Sequence, residues 1–108
     1  MQITTTYTFP GYEITETLGV VRGNTVRARH IGKDIMAGLR NIVGGEIGEY
    51  TKLLAESREQ ALDRMLANAK EVGADGVVGV RFVTSTVSQA AAELLVYGTA
   101  VKLEKSDS

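Results

Sequence analysis

Residues 49–72, EYTKLLAESREQALDRMLANAKEV, closed at 73–76 by GADG, decide the fold. At 100° per residue, Glu49, Lys52, Glu56, Glu59, Asp63 and Lys70 fall within one arc of roughly 80°, which makes a solvated stripe. Tyr50, Leu53, Leu54, Ala61, Leu62, Met65, Leu66, Ala69 and Val72 spread over roughly 220° on the other side. A surface helix covering one small sheet needs an apolar stripe only a little over about 100° wide. The surplus calls for a second cover, from the same chain or from a neighbouring subunit. Gly48 is a weak N-cap, but Glu46 and Glu49 place negative charge near the positive end of the helix dipole. Gly73 is suited to the left-handed conformation that closes a helix.

On the C-terminal side of this helix, Val77–Thr84 reads as a strand. Strict alternation sends Val78, Val80 and Phe82 to one face and Val77, Gly79, Arg81 and Val83 to the other. Both faces are substantially apolar, which suits a central strand or an interface. Ser85–Glu93 reads as a connection and Leu94–Leu103 as the final strand, giving an antiparallel hairpin packed on the helix. On the N-terminal side, Met1–Thr8 reads as an edge strand or extended arm, and Pro10-Gly11 as a turn. Tyr12–Val21 is a strand with Tyr12, Ile14, Leu18 and Val20 on one face, interrupted by Glu16. Arg22-Gly23-Asn24-Thr25 carries turn chemistry, Val26–His30 suits a further short strand, and Gly32–Ile42 a short helix ended by Gly44-Gly45.

The 108 residues suit one domain with a modest core, spanning 1–104 and followed by a short frayed tail at 105–108. A formal net charge of −1 gives no general attraction to nucleic acid or to an anionic membrane. Arg22, Arg27, Arg29, His30 and Lys33 form a basic cluster that reads as a solvated loop. The absence of cysteine excludes disulfides, thiolate catalysis and thiolate-ligated metals. No apolar run is long enough to span a bilayer, no secretory signal is expected, and a cytoplasmic location is expected.

Catalytic chemistry is sparse. His30 is the single histidine, so a serine or threonine nucleophile has one possible imidazole base. The pairs Glu13/Glu16 and Asp34/Glu46 have no diagnostic spacing for acid–base work. Gly73–Gly79 runs from helix into strand, the reverse of a phosphate loop; Gly44-Gly45 with Gly48 precedes a helix but lacks the lysine and hydroxyl of a P-loop. His30 and Asp34, four residues apart, are the weak candidates for a metal ligand pair.

Leu18-Gly19-Val20-Val21, Asp34, Ala37–Arg40, Asn41-Ile42-Val43-Gly44-Gly45, Tyr50, Ala55–Ala61 with Arg58 and Glu59, and Gly73–Val80 together resemble the YbjQ-like family of small prokaryotic proteins. The resemblance covers nearly the whole chain. It implies an α/β (α+β) fold in which a small antiparallel sheet packs on one long helix, with an additional short helix, and a pentameric ring. The family also carries a heavy-metal-binding label, which a ring could satisfy by repeating one ligand per subunit around its axis. No cofactor is expected beyond such a metal ion. The reading is a non-enzymatic homo-oligomer, a scaffold or a binder of a small ligand or ion, with itself as partner and neither nucleic acid nor membrane. The alternatives are metal binding around the ring, or an enzyme with its site at subunit boundaries. Gly44, Gly45 and Gly73 are expected at structural turns or caps. Glu16 interrupts an apolar strand face and Arg58 falls inside the apolar helix arc, so both are expected to be partly buried and hydrogen-bonded, to each other or across a subunit boundary.

Overall fold

A computed structural model describes residues 1–28, 48–88 and 91–106. The described elements are β1 (Gln2–Ile3), β2 (Tyr12–Ala28), α1 (Gly48–Glu71), β3 (Gly76–Ser88) and β4 (Ala91–Lys105). The strands form one four-stranded sheet in the order β1-β3-β4-β2. β4 pairs antiparallel with both β2 and β3, while β1 pairs parallel with β3. The sheet is therefore mixed rather than purely antiparallel. The short helix expected over Gly32–Ile42, with His30, Asp34, Gly44 and Gly45, lies outside the described residues.

α1 ends as its sequence dictates. Gly73 adopts φ +78°. Its N–H donates to the Lys70 carbonyl at 3.1 Å, and the Ala74 N–H donates to the Ala69 carbonyl at 3.0 Å. This is the paired closure of a Schellman motif. Asp75 then ties the helix end to the sheet: its N–H donates to the Val101 carbonyl, and its Oδ2 accepts the Leu103 N–H at 2.9 Å. The Gly-Ala-Asp-Gly run is thus accounted for by chain reversal. A Cβ on Gly73 meets only the far end of Lys102, so the cost of a substitution there is conformational. Gly73→Val is expected to lose about 1–2 kcal/mol, the left-handed penalty for an L-residue, and Gly73→Asn less; urea unfolding of the two variants measures the difference.

The core lies between α1 and the sheet. Ser57, Ala61, Met65 and Ala69, spaced by four, form the buried ridge of the helix. Ala61, Met65 and Ala69 pack on Val21, Val77, Val80, Val96 and Ala100, with Leu62 and Leu66 half-buried at the flank. Small residues along the ridge let the helix approach β2 closely. At Gly23 an added Cβ would collide with the Ala61 carbonyl and the Met65 amide. Here lies one correction: Arg22-Gly23-Asn24-Thr25 is not a turn, and β2 is one continuous 17-residue strand. Gly23 serves close backbone approach. Arg22 and Arg27 accordingly lie in this strand rather than in a loop.

Register shifts re-aim the strands. In β2 the register with β4 shifts between Ile14 and Glu16 and again between Thr17 and Gly19, where Gly19 has φ +103°. The expected Val20 face therefore turns outward, and Val21, Gly23 and Thr25 face the helix. In β3 one extra residue falls between Val78 and Arg81, at Gly79 with φ +62°. Val77 and Val80 thus share the helix side, whereas Val78 joins Phe9, Val101 and Leu103 in a small second core on the opposite face. Simple alternation had separated Val77 from Val80. The β3–β4 connection is also shorter than Ser85–Glu93, because pairing continues to Ser88 and resumes at Ala91.

Candidate functional site

The helix does more than cover the sheet. Asn68 Oδ1 accepts the Arg22 N–H at 3.1 Å, and Arg64 Nη1 donates to the Asn24 carbonyl at 2.6 Å. Both backbone groups point out from the free edge of β2, so α1 caps that edge against pairing with another strand.

The sheet face opposite α1 is covered unevenly. Near its lower end the N-terminal segment folds across it and buries Phe9 against Val78 and Val101. Arg81 latches this segment: Nη1 donates to the Thr5 carbonyl at 2.9 Å, Nη2 to the Tyr7 hydroxyl at 3.2 Å, and the guanidinium lies 5.6 Å from the Tyr7 ring centroid. The Gly79 and Val80 amides also donate to the Thr6 and Thr4 carbonyls. Sequence reading missed the latch, because Arg81 appeared only as one member of an alternating strand. Arg81→Ala is expected to loosen the segment by about 1.5 kcal/mol, the lower end of the range for a hydrogen bond to a charged group, and to speed amide exchange at Gly79 and Val80 roughly tenfold.

Beyond the latch the outer face is bare. Val20 is 73% exposed, Val26 53%, Val83 41% and Tyr97 37%. Register places Arg22, Tyr97 and Arg81 in one row across the three long strands, and Asn24, Leu95 and Val83 in the next. The Asn24 amide donates to Glu93 Oε2 at 2.9 Å on the same face. A second apolar crevice lies on the helix side, between α1 and the outer edge of the sheet, lined by Ile3, Thr4, Thr5, Leu62, Val80 and Phe82.

The anticipated charged contact is not formed within the protomer: Glu16 and Arg58 are both exposed. The bulges take Glu16 off the face it was expected to interrupt, to a register position beside Lys102. Arg58 lies one residue off the buried helical ridge. Among the described residues no three His, Asp or Glu side chains converge as metal ligands, and no described helix is long and apolar enough to cross a membrane.

Fold and surface together define a small α+β protein, with a mixed sheet covered by a long helix on one face and only partly covered, by the N-terminal segment, on the other. The chain belongs to the YbjQ-like family, whose model, described as "Putative heavy-metal-binding", matches residues 1–104. It is 64% identical to a UPF0145 protein of Archaeoglobus fulgidus, covering 94% of each chain. It is 59% identical to a UPF0145 protein of Methanosarcina acetivorans, covering 95% of this chain and 97% of that one. A solved structure from Pediococcus pentosaceus, of a protein of unknown function, superimposes with a TM-score of 0.62 at 19% identity, over 96% of this chain and 98% of the other. That likeness concerns the fold alone.

Proposed function

We propose that the protein works as a homo-oligomeric ring, a pentamer, in a non-enzymatic role as a scaffold or a binder of a small ligand or ion. The observation that carries this reading is the bare outer face, where Val20, Val26, Val83 and Tyr97 stand open on one sheet. Apolar sheet faces of this kind are covered in stable folds, and contiguous exposed patches mark interaction sites. The number five comes from the family resemblance. Light scattering at micromolar concentration is expected to give about five times the 11.6 kDa of one chain; a monomer there defeats the reading.

The family description motivates a second reading, a metal ion held by ligands repeated around the ring. The described residues of one chain do not fit such an ion: cysteine is absent and no ligand cluster forms among them. His30 and Asp34 remain the candidates from sequence. Metal content of untagged protein, by elemental analysis, decides: a fixed stoichiometry per ring supports this reading and a trace amount removes it.

A further inference from the structure

We infer that Thr4–Phe9 is a strap that lifts off the sheet as one unit while the core between α1 and the sheet stays folded, uncovering the apolar slot that Phe9 plugs. The strap crosses the outer face at its lower end, so its position sets how far the bare part of that face extends. The contacts concerned lie within one chain, and the inference does not depend on assembly.

Phe9 is the one buried side chain of the strap; Thr5, Thr6, Tyr7 and Thr8 are exposed. It packs with Val78, Val101 and Leu103, a cluster separate from the core of Ala61, Met65 and Val96 on the other side of the sheet. Withdrawing Phe9 therefore leaves the contacts between helix and sheet in place. A segment with so few buried apolar contacts opens locally, well below the cost of global unfolding.

The strap holds its own shape. The Thr4 and Thr6 hydroxyls share a hydrogen bond at 2.7 Å, the Thr6 N–H donates to Thr4 Oγ1 at 3.2 Å, and the Thr6 hydroxyl donates to the Thr8 carbonyl at 2.8 Å. These bonds are internal and survive lifting. The polar contacts with the sheet converge instead on one short stretch of β3. The Gly79 and Val80 amides donate to the Thr6 and Thr4 carbonyls, and Arg81 donates to the Thr5 carbonyl and the Tyr7 hydroxyl. Gly79, at φ +62°, also makes room for the Tyr7 ring, which would lie 3.1 Å from an added Cβ. Losing this one dock frees the whole segment. A hinge stands at its C-terminal end. The Tyr12 N–H donates to the Phe9 carbonyl at 3.1 Å across Pro10-Gly11, and Gly11 has φ +82°. Proline followed by a positive-φ glycine suits a type II turn. An added Cβ on Gly11 would meet nothing within 4 Å, so the turn has space in which to swing.

The chain has no cysteine, so a single introduced thiol reports its own exposure. Val78→Cys places one beneath Phe9, and Val96→Cys places one in the main core, where Val96 has no exposed surface. Alkylation of each full-length variant by iodoacetamide, a small uncharged reagent, is followed by mass spectrometry. The Val78→Cys thiol is expected to react at least about tenfold faster than the Val96→Cys thiol. Adding Arg81→Ala is expected to speed the first about tenfold again and to leave the second within about twofold, because the latch holds the strap and not the core. Equal rates for the two thiols, equal acceleration of both, or no acceleration of either overturns the inference. Should Val78→Cys fail to fold by far-UV circular dichroism, amide exchange of the unsubstituted protein decides. The Gly79 and Val80 amides are expected to exchange together and at least about tenfold faster than those of Val96 and Ala100; equal protection of all four overturns the inference.

Discussion

Gly23→Ala is expected to be among the most damaging single-methyl additions in this protein, costing about 3 kcal/mol, the upper end of the usual overpacking range. β2 and α1 touch at this residue through backbone. The groups a methyl would strike are the Ala61 carbonyl and the Met65 amide, with the Arg64 carbonyl carbon at 2.9 Å. No flexible side chain is available to swing aside. The helix must move as a unit, and with it Met65, which fills the centre of the core with no exposed surface. It must also stretch the two bonds that cap the β2 edge, Asn68 to Arg22 and Arg64 to Asn24. A loss of this size lowers the melting temperature of a domain near 100 residues by more than about 12 °C. A decrease of under about 4 °C would mean that helix and strand separate at little cost, and that the close approach does not hold the fold together.

The same residue shows where sequence reading stops. Its neighbours Arg22, Asn24 and Thr25 have the composition of a turn, and local propensity has no access to a helix backbone arriving from 40 residues further along the chain. α1 was legible because its evidence is local: a 3.6-residue period and a glycine stop, observed as Gly48–Glu71 with Gly73 at φ +78°. The β4 alternation was legible for the same reason, and Val96, Gly98 and Ala100 do share the buried side. Bulges are a matter of pairing, fixed by two strands at once. One extra residue at Gly79 and the shifts before Gly19 reversed which valines face the helix, and they carried the expectation for Glu16 with them. The surplus apolar arc of α1 was legible, and its remainder is seen in half-buried Leu62 and Leu66 and in Leu54 at 45% exposure. What covers that remainder is not set by local sequence, which carries only the hint of excess. His30, Asp34, Gly44 and Gly45, the other residues singled out, lie outside the described residues.

Met65→Ala is expected to cost about 4 kcal/mol, within the range for deleting a large buried aliphatic side chain. Met65 has no exposed surface and is, among the described residues, the largest fully buried side chain. Its neighbours on the helical ridge, Ala61 and Ala69, are too small to close a void. The strand residues opposite, Val21, Val77 and Val96, are held in place by cross-strand pairing within the sheet. The cavity therefore stays largely open, which places the cost toward the top of the range. Because this loss lies inside one protomer, it should be the same at every protein concentration. Val20→Ala makes the contrast, since Val20 is 73% exposed on the single chain and its truncation there should stay within about 0.5 kcal/mol. If the outer face is an assembly surface, that variant should instead weaken the dependence of melting temperature on concentration, which arises by mass action from association. Melting curves across a hundredfold dilution series separate the two effects. A Met65→Ala cost under about 1 kcal/mol would show that helix and sheet collapse onto the void, and that the core between α1 and the sheet is not tightly packed.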